Sequence, residues 1–264
     1  MGAMVRGGVD TTMSLLDWRR GVPQSVHYSD GTIELAEVSN SGQITLHSDP
    51  NGYVRQYAYD PMGRPARTDY PAQDAVAWNP ETSFFEIINT AEHGLPAGHW
   101  RQTLQVGAYR KQVFFDAMWR PVVVTEEDTS DPQGTQRWTA TRYDAQGRTA
   151  FSSYPRNPYL EGAVGYLDPS LRSYAYAYDE IGRPTQTVQS SELGGLVTQY
   201  AHLDGFVTRV TNPRGYSTSS HFMALDEPDT SLPVLIDEPE GVTTLIQRDV
   251  YGKPLSITRQ GVAE

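Results

Sequence analysis

Tyr174 to Pro184 reads YAYAYDEIGRP, and the reading of this stretch decides the fold. Tyr174, Tyr176 and Tyr178 alternate with alanines, the period of two that sends every other side chain to one face of a β-strand. Asp179-Glu180-Ile181-Gly182 then places aspartate first and glycine fourth, the arrangement of a type I turn that closes a hairpin through a glycine bulge. Arg183 opens the return strand, placed either to stack on a tyrosine ring or to pair with Asp179. Pro184 suits the first position of that strand, because it has no N–H to give to the ladder.

Outward from this unit, the same pattern recurs. Tyr57, Tyr59, Asp60, Gly63 and Arg64 form a full copy, in which Pro61 presets the backbone angle of the turn. Tyr143, Asp144, Gly147 and Arg148 form another. Phe115, Asp116 and Arg120 follow it too, except that Trp119 stands in the glycine place; a bulky residue is strained at positive φ, so this turn is expected to differ in geometry. Weaker copies lie at Phe222 to Pro228 and at Arg248, Asp249, Gly252, Lys253 and Pro254. A second signal keeps register with the first, since Pro50, Pro213 and Pro239 each open a Pro-x-Gly turn nine residues before Tyr59, Phe222 and Arg248. Two turn signals at constant separation indicate an internal repeat.

Between these turns the chain alternates short apolar runs with Gly, Pro, Asn and Asp, the grammar of successive hairpins. Strands are expected near Ser25–Tyr28, Thr32–Val38, Gln43–His47, Tyr53–Tyr59 and Pro65–Asp69. From Ala72 to Arg110 the repeat disappears; this segment carries Phe84-Phe85-Glu86-Ile87-Ile88, the tip HGLPAGH and a strand from His99 to Val106, with a short helical turn expected near Pro80–Ser83. The chain therefore divides into a lead-in at 1–16, repeats at 17–71, a non-repetitive insert at 72–110 and repeats at 111–264, all within one continuous repeat domain. The opening MGAM reads as a cloning remnant, which makes the chain a piece of a longer polypeptide. Irregular spacing of the turn aspartates at 60, 116, 144, 179 and 249 favours an all-β, antiparallel meandering sheet over a propeller, whose blades recur at even intervals.

Composition narrows the function. The 264 residues are 38% hydrophobic, which suits a folded domain. A net charge of −11 opposes non-specific attraction to nucleic acid or anionic membrane. There is no cysteine, hence no disulfide and no thiolate metal site. No apolar run reaches the roughly 20 residues of a membrane span, so no membrane insertion is expected. HExxH, GxSxG, P-loop and GxGxxG patterns are all missing, so neither an enzyme nor a cofactor is expected. His93 and His99 flank a Gly-Pro loop without the further ligands that a metal requires. The acidic clusters Glu126–Asp131 and Asp226–Asp229 lack the glycine spacing of a calcium loop. Trp100, Trp138, Tyr166 and Tyr174 are candidates for stacking on a glycan, although tyrosines at alternate strand positions more commonly form cross-strand ladders with bonded hydroxyls. Each repeat base, Arg64, Arg120, Arg148, Arg183 and Lys253, stands close to its own turn aspartate, which favours local pairing over a binding stripe.

Y-x-Y-D-x-x-G-R preceded by D-P-x-G resembles the YD repeat of Rhs proteins, toxin-complex shell subunits and the teneurin ectodomain. The likeness runs from about Trp18 to Ile257, interrupted by the insert; Trp119, Asp226 and Glu227 depart from it. DWRRGVP from Asp17 also looks like the leading segment of bacterial members. This resemblance implies a β-sheet spiralling into a cocoon-like shell around a toxic C-terminal domain, with the present chain an open fragment of that wall. Its partners would be the remaining repeats and cargo domain of the same polypeptide, in a secreted or surface-associated bacterial protein. A second reading, from another class, is an adhesion module whose aromatic strands bind a cell-surface glycan or protein. Exposed sheet edges also permit edge-to-edge pairing of copies.

Overall fold

The computed structural model describes residues 2–6, 9–72, 75–224 and 228–261. Its strands, in order, are β1 (Gly2–Arg6), β2 (Val9–Arg19), β3 (Val22–Tyr28), β4 (Ile33–Val38), β5 (Ile44–Ser48), β6 (Val54–Tyr59), β7 (Pro65–Asp69), β8 (Glu81–Ile88), β9 (His99–Val106), β10 (Tyr109–Phe115) and β11 (Pro121–Asp128). They continue as β12 (Arg137–Tyr143), β13 (Thr149–Ser153), β14 (Ser173–Tyr178), β15 (Pro184–Ser191), β16 (Gly194–Leu203), β17 (Val207–Thr211), β18 (Ser217–Ala224), β19 (Pro228–Asp237), β20 (Thr243–Arg248) and β21 (Pro254–Gln260). From β1 to β11 each strand pairs antiparallel with the next. The same holds from β12 to β21. The architecture is all-β, a meander in which sequence neighbours pair through short hairpin turns and through the longer loops after β7, β8 and β13.

The short runs between turn signals become strands within a residue of their expected places, except that β3 starts at Val22, three residues before the expected Ser25. At Pro80–Ser83 the expected helical turn does not form: β8 begins at Glu81, and Thr82 is held between Arg67 of β7 and Gln105 of β9. Two ladders outweigh a weak local propensity. Two four-residue helices occupy loops, α1 (Pro132–Thr135) and α2 (Pro158–Glu161). Asp131 accepts the Gly134 N–H of the first, and Asn157 accepts the Tyr159 N–H of the second. The weak copy at Phe222–Pro228 and the acidic cluster at Asp226–Asp229 lie partly outside the described residues; Phe222 itself is in β18.

The chain forms two compact units, Met1–Thr139 with Pro155–Tyr166, and Ala140–Tyr154 with Leu167–Glu264. The first has a core where β9 to β12 meet. Phe114, Phe115, Val122, Val123 and Trp138 are buried there, and the alternation in PVVVTEED buries one face of β11. A side chain of this size contributes roughly 1.5–3 kcal/mol when fully buried. In the second unit, Ala140 and Leu171 are the fully buried apolar residues among those described. Strands β15 and β18 there are half-buried or exposed at every position, and β21 is exposed throughout. Solvent thus reaches both faces of these three strands, and the unit carries exposed Leu203, Leu245, Leu255 and Ile257.

Candidate functional site

The recurring feature is a five-residue turn. Among the described residues, nine turns have the first residue's N–H donating to the carbonyl of the fifth and the fourth residue's N–H donating to the carbonyl of the first. They begin at Tyr28, Ser39, Asp49, Asp60, Asp116, Asp144, Asp179, Asn212 and Asp249. The D-P-x-G segment at Asp49 and the D-x-x-G-R units thus share one turn, met alternately along the meander, and its sequence signal is glycine in the fourth place. Gly63, Gly147 and Gly182 sit there at φ of 83°, 83° and 91°, in the left-handed region that glycine enters freely.

The aspartate carboxylate locks this frame. Asp60 Oδ1 accepts the N–H groups of Met62 and Arg64, both at 2.9 Å, while its Oδ2 accepts Arg64 Nε at 2.6 Å. Asp116 with Arg120, Asp144 with Arg148, and Asp179 with Arg183 repeat the arrangement, with Nε–Oδ2 distances of 2.8, 2.7 and 2.7 Å. For Asp116, burial pushes the carboxyl up, but hydrogen bonds from the Arg120 side chain and backbone and the Met118 N–H outweigh it, leaving the group below the usual carboxylate range. At Asp249 the frame persists with Lys253 donating only its backbone N–H, and Arg248 reaches the Gly252 carbonyl at 2.7 Å instead.

Successive turns are tied by side chains. Tyr59 donates its hydroxyl to the Ile44 carbonyl at 2.7 Å, and Tyr178 donates to Thr149 at 2.9 Å; each acceptor immediately follows an earlier turn. Arg148 Nη1 donates to the Asp179 carbonyl at 2.9 Å, and its guanidinium lies 4.7 Å from the Tyr178 ring centre. Gln43 donates to the Gly63 carbonyl at 3.0 Å. Arg64 instead covers the Phe85 ring at 4.0 Å. Tyr57 and Tyr176 face cross-strand threonines, Thr68 and Thr187, and burial raises the Tyr176 phenol.

Trp119 corrects an expectation. Its turn keeps the common frame, with Asp116 N–H donating to Arg120 and Trp119 N–H donating to Asp116, each at 3.0 Å, while Trp119 stands at φ 60°. A left-handed non-glycine residue costs roughly 1–2 kcal/mol. The offset comes from its indole, which meets the rings of Trp100 and Phe115 at 5.3 Å and Phe85 at 6.1 Å. Trp100, Phe115 and Trp119 line a groove of about 630 Å³ together with Leu95–Gly98 and Tyr166.

Among the glycan candidates, Trp100 and Tyr166 therefore share one groove, and Tyr174 is 36% exposed elsewhere, edge-on to Tyr154. Trp138 is corrected: at 1% exposure its faces are closed to any sugar, and its indole N–H donates to His93 Nδ1 at 3.1 Å. His93 also packs edge-on to Phe114, and burial holds its imidazole below the usual range, with Glu92 pulling the other way. His99 is buried, with Nδ1 at 2.7 Å from the Pro96 carbonyl and Nε2 at 3.1 Å from Glu92. The acidic run near Asp128 is committed locally: Glu127 is buried and paired with Arg110, Asp128 accepts from Ser130, and Asp131 caps α1. Among the described residues no cluster of three or more His, Cys, Asp or Glu has metal-site geometry, and no helix is long and apolar enough to cross a membrane.

Residues 40–75 match the family model described as RHS Repeat, a segment that contains the turns at Asp49 and Asp60. No curated protein matches the chain. Among solved structures, the Tc holotoxin pore of Photorhabdus luminescens aligns with a TM-score of 0.62 at 13% identity, over 92% of this chain and 12% of that one. TcdB2-TccC3 without its hypervariable C-terminal region aligns with a TM-score of 0.55 at 11% identity, over 95% of this chain and 21% of that one. The chain thus spans between an eighth and about a fifth of these structures' lengths, and the likeness is one of fold. Residues 40–75 thus carry an RHS repeat, and the turn found within them recurs from Tyr28 to Lys253 on a fold similar to that of these structures.

Proposed function

We propose that this chain is a wall segment of an Rhs shell, and that the wall holds or presents a C-terminal toxin domain of the same polypeptide. The observation that carries this reading is the second unit, a hydrogen-bonded sheet in which, among the described residues, Ala140 and Leu171 are the buried apolar side chains while Leu203, Leu245, Leu255 and Ile257 stand in solvent. A sheet of this kind gains its cohesion from strand-to-strand bonding and turn locking, as a wall does, rather than from a globular centre. In this reading the Tyr, Asp, Gly and Arg positions of the turns set register and carry no chemistry. The repeats at 17–71 and 111–264 and the segment 72–110 act as successive parts of one wall, in a secreted or surface-associated bacterial protein. Limited proteolysis of the natural polypeptide that carries these repeats tests it. Enclosure predicts a C-terminal domain resistant to protease until the repeat region is denatured; digestion of that domain at the rate of the isolated domain would refute it.

A further inference from the structure

Three stretches distant in sequence meet at His93: the tip of the β8–β9 hairpin that carries it, Trp138 of β12, and the segment 155–166. The His93 carbonyl accepts the Tyr166 N–H at 2.8 Å, and Gly94 approaches Gly165 so closely that a Cβ added to it would lie 2.9 Å from the Gly165 Cα. Trp138 exchanges two backbone hydrogen bonds with Arg156, at 2.8 and 3.0 Å. The bond from Trp138 Nε1 to His93 Nδ1 closes the circuit.

That bond fixes a protonation state. An indole N–H only donates, so Nδ1 carries a lone pair and the neutral ring keeps its proton on Nε2. At 1% exposure, the Trp138 N–H has no solvent to turn to. A proton added at Nδ1 sets two donors against each other in a buried place. His99 is the opposite case, since both its nitrogens face acceptors, the Pro96 carbonyl and Glu92.

The surroundings do not accommodate a charge on His93. Burial disfavours it first; Glu92 favours it, but that carboxylate already faces His99 Nε2 at 3.1 Å and Arg101 Nη1 at 3.4 Å, and Arg101 also pairs with Glu86. His99 and Arg101 oppose a further positive charge. Phe114 from β10 and Trp138 from β12 do not titrate. From 155–166, Tyr166 supplies its backbone N–H, and Arg156 directs Nη2 to the carbonyls of Glu161 and Gly162. We propose that His93 is an acid-operated latch: neutral, it holds Trp138 and the segment 155–166 to the hairpin tip, and protonated at Nδ1 it lets them part. The opened ring has an ordinary affinity for protons, near pH 6.5, so the open population rises at most about 25-fold between pH 7 and pH 5.

Amide hydrogen exchange of the chain, read by NMR and corrected for the intrinsic effect of pH on exchange, tests this. From pH 7 to pH 5 the protection of the Tyr166 and Arg156 N–H groups should fall, by at most about 25-fold, while that of the β6 and β7 amides holds. The fall should follow the titration of the His93 ring, whose nitrogen signals should show the lone pair on Nδ1 at pH 7. His93→Asn keeps an acceptor oxygen and tolerates the left-handed backbone but takes up no proton, so its protection should not change with pH. Equal wild-type protection at pH 5 and pH 7 overturns the proposal, as does a loss shared by the whole sheet or one whose midpoint differs from that of His93. An equal loss in His93→Asn overturns it too.

Discussion

Asp116 offers the sharpest separation of the forces within a turn. Its carboxylate accepts two backbone N–H groups, from Met118 at 2.9 Å and Arg120 at 3.0 Å, and one side-chain N–H at 2.8 Å. Asp116→Ala removes all three. At about 0.5–1.5 kcal/mol for each net hydrogen bond and about 0.2–1 kcal/mol for the partly exposed ion pair, the loss is about 1–4 kcal/mol. Asp116→Asn keeps a side-chain oxygen, and the chain itself shows that this is enough for the backbone bonds. Asn212 accepts Arg214 N–H at 2.9 Å and Tyr216 N–H at 3.1 Å in the same frame. The asparagine variant should therefore lose only the ion-pair contribution, about 0.2–1 kcal/mol. Urea denaturation followed by the fluorescence of the neighbouring Trp100 and Trp119 reads both variants, provided that the slope with denaturant is unchanged. Equal midpoints for the two variants, or an alanine variant as stable as wild type, would refute the view that the carboxylate acts chiefly by holding the turn backbone.

Three further outcomes are expected. A Cβ at Gly94 would lie 2.9 Å from the Gly165 Cα and 3.3 Å from the Tyr166 nitrogen, at φ 82°, whereas at Gly182 the nearest atom is 3.8 Å away; Gly94→Ala should lower the denaturation midpoint more than Gly182→Ala. Tyr178→Phe should cost about 0.5–1.5 kcal/mol by leaving the Thr149 carbonyl without its donor, and an unchanged midpoint would show that the tyrosine contributes only its ring. His93, held by burial below its usual value, stays neutral in the fold while the unfolded chain takes up a proton below about pH 6.5. Stability from this group is therefore complete above that pH and is lost as pH falls toward the folded value. The wild-type midpoint should drop from pH 7 to pH 5 more steeply than that of His93→Asn, whose side chain does not titrate and tolerates a left-handed backbone.

The repeat was legible because its demands are local. A turn needing glycine at positive φ and an acceptor three or four residues earlier leaves its mark within five consecutive residues, so Asp60–Arg64, Asp144–Arg148 and Asp179–Arg183 could be read directly. The equivalence of Asp49–Tyr53 to those turns was less visible, since its fifth residue is tyrosine and no arginine completes the signature. Trp119 misled for a different reason. Propensity at one residue is overridden when neighbours on β8, β9 and β10 supply rings for the indole to meet, and those neighbours are brought together only by pairing over long stretches of chain. Trp138 was open to the same error: exposure is a property of the packed unit, and its burial against His93 joins positions 45 residues apart. The groove itself has no sequence signature, because its three segments, Leu95–Trp100, Phe115–Arg120 and Tyr166, lie apart in the chain.

The account rests on these turns being the framework of a shell wall. Electron cryo-microscopy of the natural polypeptide that carries this sequence tests that most directly. The prediction is that β12 to β21 lie in the wall of a closed shell, with neighbouring repeats paired to their edges and the exposed Leu255 and Ile257 covered on one face. Particles in which these strands form a free-standing sheet, with solvent on both faces and no enclosed volume, would contradict it.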